Sequence, residues 1–241
     1  MIATWIQIPE PTIIEILNNT PLDMFIIDME HSYISNEKIA SLMRVVDPQK
    51  KVLVRVESND ELKIRQALDL GADGIIVPMV DNQEEAERVV YYSKYPPLGK
   101  RGTSFCRMNQ WGVTFKEYQE KSNKELLNFV MLETAQSIDN AESIIGTNGI
   151  DGVFIGSYDL SSSLGKSGEL YSQEMLDIEA KIVGLCSKYN KKSGILVFVP
   201  NEANILNKNK TGFDIISVGG DVTFLQSSAN HYLKVAKSCG V

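Results

Sequence analysis

Two carboxylates, an arginine and a histidine stand where apolar runs of this chain end. Glu133 lies near the end of the run Phe129–Thr134, and Asp159 follows the run Gly152–Ser157. They are 26 positions apart, one strand–helix repeat. At equal height on neighbouring parallel strands, whose backbones are about 4.8 Å apart, the two charges repel. One must then be protonated, or both must face a cation. Two protein oxygens, with the other positions left to water and substrate, suit Mg²⁺ or Mn²⁺. The competing reading makes each acid the start of the following helix, although Thr134 and Ser161 could cap those helices unaided.

Arg55 ends the run Lys51–Val56. An inward position there buries a charge that needs an anion. That anion is either structural (Asp28, Glu57 or Asp69) or a substrate carboxylate, which the guanidinium fork grips through two parallel bonds. His31 sits in Asp28-Met29-Glu30-His31, and the flanking acids make it a group for proton transfer. His231 lies in a helical pattern without a partner motif and reads as a surface residue. The corner Gly219-Gly220-Asp221 offers backbone N–H groups to a phosphate, or close approach to a substrate's tail. No strand interior carries the lysine that a Schiff-base aldolase needs, and Lys51 opens its strand at the wrong end. Carbanion chemistry here would need a metal as electron sink.

Eight β-like runs carry these groups: Ala3–Ile8, Met24–Glu30, Lys51–Val56, Gly74–Met79, Phe129–Thr134, Gly152–Ser157, Gly194–Phe198 and Asp214–Gly219. Helical patterns fall between them, at Pro11–Asn18, Asn36–Val46, from Asn59-Asp60 to Gly71, after a cap at Asp81, and at Lys116–Leu127, Ser137–Ile145, Gln173–Tyr189, Asn201–Asn209 and Val222–Ser238. Repeated βα units imply a parallel sheet, and eight of them an α/β fold of the closed (β/α)₈ TIM-barrel type, with chemistry at the strand C-termini. Residues 95–128 exceed what one helix needs. With Arg101, Phe105, Arg107 and Trp111, the stretch reads as an ordered flap over the mouth or a subunit contact.

The 241 residues suit one barrel domain spanning the chain. A formal charge of −7 argues against nucleic acid or an anionic membrane as partner. No apolar stretch is long enough to span a bilayer, and the N-terminus lacks a signal-peptide pattern. The expected location is the cytoplasm. Cys106, Cys186 and Cys239, scattered and without CxxC spacing, fit reduced thiols.

Seven segments in order resemble the HpcH/HpaI family of class II, metal-dependent pyruvate aldolases: FIIDMEH at 25–31, VLVRV at 52–56, LDLGADGIIVPMVDNQEEA at 68–86, YPPLGKRG at 95–102, MLET at 131–134, DGVFIGSYDLSSSLG at 151–165 and VGGD at 218–221. The resemblance covers essentially the whole chain. It implies a pyruvate-type (β/α)₈ barrel, assembled as a homohexamer with C-terminal helices exchanged between partners. It implies that Glu133 and Asp159 hold Mg²⁺, Mn²⁺ or Co²⁺, and that Arg55 binds the 2-oxoacid carboxylate beside the backbone of Ser157, Tyr158 and Asp159. His31 would be the acid/base, oriented by Asp28 and Asp69, with Glu30 near the metal waters and Gly219 on the aldehyde side. The implied reaction cleaves a 4-hydroxy-2-oxoacid to pyruvate and an aldehyde through a metal-stabilised enolate. Ser157 departs from the family's proline, which frees the backbone before the metal ligand. Met131 stands where some relatives carry glutamine. The alternatives are a citrate synthase or acyl-CoA lyase using Lys100, Arg101 and Arg107 for CoA, a phosphosugar enzyme using the Gly219-Gly220 corner, or a non-catalytic scaffold.

Overall fold

In the computed structural model, which describes residues 1–240, eight parallel strands pair in chain order and β8 closes on β1. They are β1 (Ile2–Ile6), β2 (Met24–Asp28), β3 (Lys51–Arg55), β4 (Gly74–Val77), β5 (Leu127–Leu132), β6 (Gly152–Ile155), β7 (Lys192–Val197) and β8 (Ile215–Gly220). The expected (β/α)₈ barrel is therefore observed. Alternation along each strand sorts the side chains. Trp5, Met24, Ile26, Leu53, Ile76, Phe129, Met131 and Phe154 fill the barrel, with Phe129 and Phe154 edge-to-face at 5.4 Å. Phe25, Ile27, Val52, Val54, Val130 and Val153 point the other way, into the layer shared with the helices.

The helices are α1 (Pro11–Asn18), α2 (Asn36–Leu42), α3 (Glu61–Leu70), α4 (Gln83–Ser93), α5 (Phe115–Glu125), α6 (Ala135–Asp139), α7 (Ala141–Ile145), α8 (Ser157–Ser163), α9 (Gln173–Lys188), α10 (Glu202–Thr211) and α11 (Asp221–Ser238). Their starts follow local chemistry. Asp60 caps α3 through the N–H groups of Leu62 and Lys63, and Gly71 closes it with φ +117°. Asn82, not Asp81, caps α4 by accepting the Glu85 N–H; Asp81 instead receives the Thr134 hydroxyl. The expected helix at 137–145 is two short ones, broken at Asn140, whose side-chain amide donates to the Asp81 carbonyl.

The long segment after α4 is ordered but does not form a flap over the mouth. It crosses the helical layer: Lys100 N–H donates to the Tyr91 carbonyl, and Met108 packs at Gly71. Arg101 is buried and bonds Asp69 at 2.7 Å and Ser122 at 3.3 Å, under the rings of Tyr95 and Tyr118. Phe105 and Trp111 stay exposed on that outer surface. Among the described residues, no helix is long and apolar enough to cross a membrane.

Candidate active site at the C-terminal mouth

Strand register determines which groups meet. β2 and β3 pair Asp28 with Arg55, and alternation with Ile26 and Leu53 turns both side chains into the barrel. Arg55 therefore forks onto Asp28, Nε to Oδ1 at 2.9 Å and Nη2 to Oδ2 at 2.8 Å. Its guanidinium lies 4.5 Å over the Trp5 ring, and Nη1 stands 3.1 Å from the Glu30 carboxylate. Gln7 donates its side-chain amide to Asp28 at 3.0 Å. Burial alone would raise the Asp28 pKa. Arg55, by hydrogen bond and charge, with the His31 N–H and Gln7, overcomes this and holds it below the ordinary aspartate value.

Within this chain, the two acids expected to orient His31 are engaged elsewhere. Asp28 accepts the backbone N–H groups of Glu30 and His31, at 3.1 and 3.2 Å, and does not hold the imidazole. It secures the loop, because its oxygens already face Arg55. Asp69 lies on α3 and is engaged with Arg101 and with the Ser104 hydroxyl, so it does not orient His31 within this chain. The His31 side chain is 58% exposed, its Nε2 3.8 Å from Glu30.

Glu133 lies one residue beyond β5 and is buried. Its Oε1 accepts the N–H of Met79 at 2.7 Å, where the backbone takes φ +52°. A Cβ at Gly156 would sit 2.5 Å from Glu133 Oε2 and 2.7 Å from its Cβ, so the chain must lack a side chain there. Burial pushes the Glu133 pKa up to about 7, with the charges of Glu30 and Asp159 adding to the rise and the Met79 N–H opposing it. Glu30 is also raised, first by burial and then by Asp28 and Asp159, with Arg55 opposing.

The equal-height expectation for Glu133 and Asp159 does not hold. β5 and β6 pair Leu132 with Ile155, which puts Glu133 level with Gly156. Asp159 stands three residues further along, exposed, in the first turn of α8. β6 ends at Ile155, two residues sooner than its apolar run suggested, and the chain turns helical at Ser157. Ser157 occupies the first helical position, where the family's proline is also accommodated, so the substitution leaves the turn's form intact. The negative charges of Glu133, Asp159 and Glu30 nonetheless act on one another.

A cavity of about 340 Å³ opens at this end of the barrel. Its lining brings together Asp28, His31, Arg55, Ser157, Tyr158, Asp159 and Gly219 from the sequence reading. Glu133 lies behind Gly156. Gly219 has φ +60°, which calls for glycine, while its Cβ space is ordinary. Sequence reasoning missed Trp5, Gln7, Phe198 and Thr223, which also line it. Their signal was position: Gln7 and Phe198 directly follow β1 and β7, Trp5 is the last-but-one residue of β1, and Thr223 lies in the first turn of α11. Lys100, Arg101 and Arg107 are absent from the lining. Lys100 pairs with Glu61, and Arg107 reaches the Met43 carbonyl.

Among the described residues, no three His, Cys, Asp or Glu side chains form a ready metal cage. The carboxylates of Glu30, Glu133 and Asp159 supply oxygen donors and are electrostatically crowded. The buried Glu30 Oε2 accepts no hydrogen bond, although Arg55 Nη1 stands 3.1 Å from it. That chemistry fits a hard divalent cation that keeps water or substrate in its remaining positions.

Barrel and site together define a (β/α)₈-barrel protein with an arginine–carboxylate–histidine cluster at its C-terminal mouth. The chain belongs to the HpcH/HpaI aldolase/citrate lyase family, whose profile matches residues 2–228. It is 32% identical over 229 residues to a 5-keto-4-deoxy-D-glucarate aldolase of Escherichia coli O6:H1, covering 94% of this chain and 88% of the relative. It is 34% identical over 218 residues to a hydroxypyruvate/pyruvate aldolase of Chromohalobacter salexigens, covering 89% and 85%. The crystal structure of an HpcH/HpaI aldolase from Desulfitobacterium hafniense superposes with a TM-score of 0.90 at 26% identity, covering 98% of this chain and 92% of that one.

Proposed function

We propose that this protein is a divalent-metal-dependent aldolase that reversibly cleaves a 4-hydroxy-2-oxoacid into pyruvate, or a close 2-oxoacid, and an aldehyde. Relatives named as aldolases, above 30% identity over nearly the whole chain, make it a carbon–carbon lyase. The observation that carries the reading is the mouth cavity, where Arg55, His31 and Asp159 face one space with Glu133 directly behind it.

Glu133 and Asp159 would hold Mg²⁺, Mn²⁺ or Co²⁺, which when bound supplies electrophilic pull on the oxygens of the 2-oxoacid. Arg55 receives the substrate carboxylate on the N–H groups that Asp28 does not use, since a guanidinium carries five. Asp28 and the Trp5 ring fix the plane of that fork. The backbone of Ser157 and Tyr158 and the Gly219 corner border the same space. His31, the accessible base, takes the proton of the C4 hydroxyl in cleavage and returns it in condensation. A citrate synthase or acyl-CoA lyase has less support, because the basic residues suited to CoA are engaged away from the mouth. A cytoplasmic setting fits the three unpaired cysteines. A homo-oligomer, hexameric by family resemblance, fits the apolar residues that α11 leaves exposed.

The test is proton–deuterium exchange at the methyl group of pyruvate, followed by NMR after EDTA treatment and readdition of Mn²⁺, Mg²⁺ or Co²⁺. Exchange that requires metal and drops at least about a hundredfold in Glu133→Ala and Asp159→Asn supports the assignment. Full exchange in both variants would remove the metal site from the proposal.

A further inference from the structure

One wall of the mouth cavity is built from side chains that the 2-oxoacid assignment leaves unused. Tyr158, second residue of α8, and Phe198, directly after β7, stand edge-to-face with centroids 4.4 Å apart and planes at 87°. They are 40 positions apart in the chain, yet they form one surface. Both retain large exposure for aromatic rings at a packed mouth, 44% for Tyr158 and 37% for Phe198. Leu196, inward on β7, and the methyl-bearing Thr223 of α11 continue the wall towards Gly219 and Gly220. Those glycines leave room beside it.

The charges on the cavity lining point the same way. Arg55 and His31 are its only side chains able to carry positive charge. Arg55 is engaged by Asp28 and Glu30 across the barrel. Asp28 and Asp159 line the cavity, with Glu30 and Glu133 behind them. Once Arg55 has taken the carboxylate of the 2-oxoacid, nothing on the Tyr158–Phe198 side pairs with a second anion, and the local field opposes one.

Resting on the aldolase reading above, we infer that the Tyr158–Phe198 wall selects the electrophile, and that the aldehyde is an uncharged one with an apolar tail lying against these rings. Aldehydes bearing a carboxylate or phosphate are poor partners. The tail gains aromatic and aliphatic contact and loses little hydration, whereas a charged tail gives up its water without an ion partner.

The experiment pairs two readouts on the metal-loaded enzyme with pyruvate as donor. The first is methyl exchange, which involves no aldehyde. The second is kcat/KM for condensation with pentanal and with succinic semialdehyde, which are similar in length and differ in the terminal charge. Pentanal should be favoured by at least about tenfold, the scale on which an apolar pocket discriminates. Phe198→Ala should shrink that ratio severalfold, and Phe198→Arg should turn it towards succinic semialdehyde, both with wild-type exchange rates. Retained exchange also verifies that the variants fold. Intact exchange with succinic semialdehyde equal or preferred in the wild type overturns the inference and leaves the aldolase reading standing. Unchanged ratios in both Phe198 variants also overturn it. Absence of exchange with every metal removes the aldolase reading, and this inference falls with it.

Discussion

Asp28 divides its two oxygens among a guanidinium, an amide and two backbone N–H groups, so its charge supports both the Arg55 fork and the His31 loop. Its pKa is held below the ordinary 3.8. A depressed carboxylate stabilises the fold above its unfolded pKa, and that stabilisation disappears as pH falls through the folded value. Wild-type thermal stability should therefore drop steeply below about pH 4, and Asp28→Asn should be less stable at neutral pH with a flatter acid limb. Parallel melting curves between pH 3 and 7 would contradict this account. The Asp28–Arg55 pair was only one of three partners the sequence allowed, because register is a property of two strands together. The intrachain partner of Asp69 was hidden for a similar reason. Its partner Arg101 lies 32 positions away, in a segment whose path over the helices no local pattern reveals.

At the scale of elements, α9 and α10 are joined by an ion pair with almost no access to water. Lys208 Nζ donates to both oxygens of Glu179 at 2.7 and 2.6 Å, and it lies 5.2 Å from the Tyr171 ring. Burial pushes the Glu179 pKa up, and Lys208 only partly offsets this. Removing one partner strands the other, so Lys208→Met should lower unfolding free energy by about 3–5 kcal/mol in urea titrations. The double variant Lys208→Met with Glu179→Leu should recover much of that loss; equal destabilisation of single and double variants would refute the coupling. The strands were legible from apolar runs, and all eight are present, with ends shifted by one or two residues. The start of α8 was not legible. Gly-Val-Phe-Ile-Gly-Ser reads as continuous strand, and the turn into helix depends on Gly156 passing Glu133, a tertiary contact. That shift moved Asp159 from the expected strand end into a helical turn.

Across the whole molecule, α11 stands apart. Asp221 anchors its start by accepting the N–H groups of Gln7 and Ile8, and it is the helix's one buried residue. Leu225, Tyr232, Leu233 and Val235 remain exposed along it. The 3.6-residue pattern identified the helix, but a periodic stripe looks the same whether its cover comes from this chain or another. The protein should run at several times 26.8 kDa in light scattering. Leu225→Asp with Leu233→Asp should shift it to smaller species, while an unchanged mass would clear α11 of a role in assembly.

The aromatic pair at the mouth lies on different parts of the chain from most of the groups assigned to the 2-oxoacid. His31, Arg55 and Glu133 lie at or just past the ends of β2, β3 and β5, whereas Phe198 sits on the loop after β7. The Phe198 half of the electrophile wall is thus written apart from the groups that cleave the bond, while Tyr158 adjoins Asp159. A lineage, or an engineer, can rewrite the loop after β7 to admit a different aldehyde while inheriting the carbanion machinery unaltered.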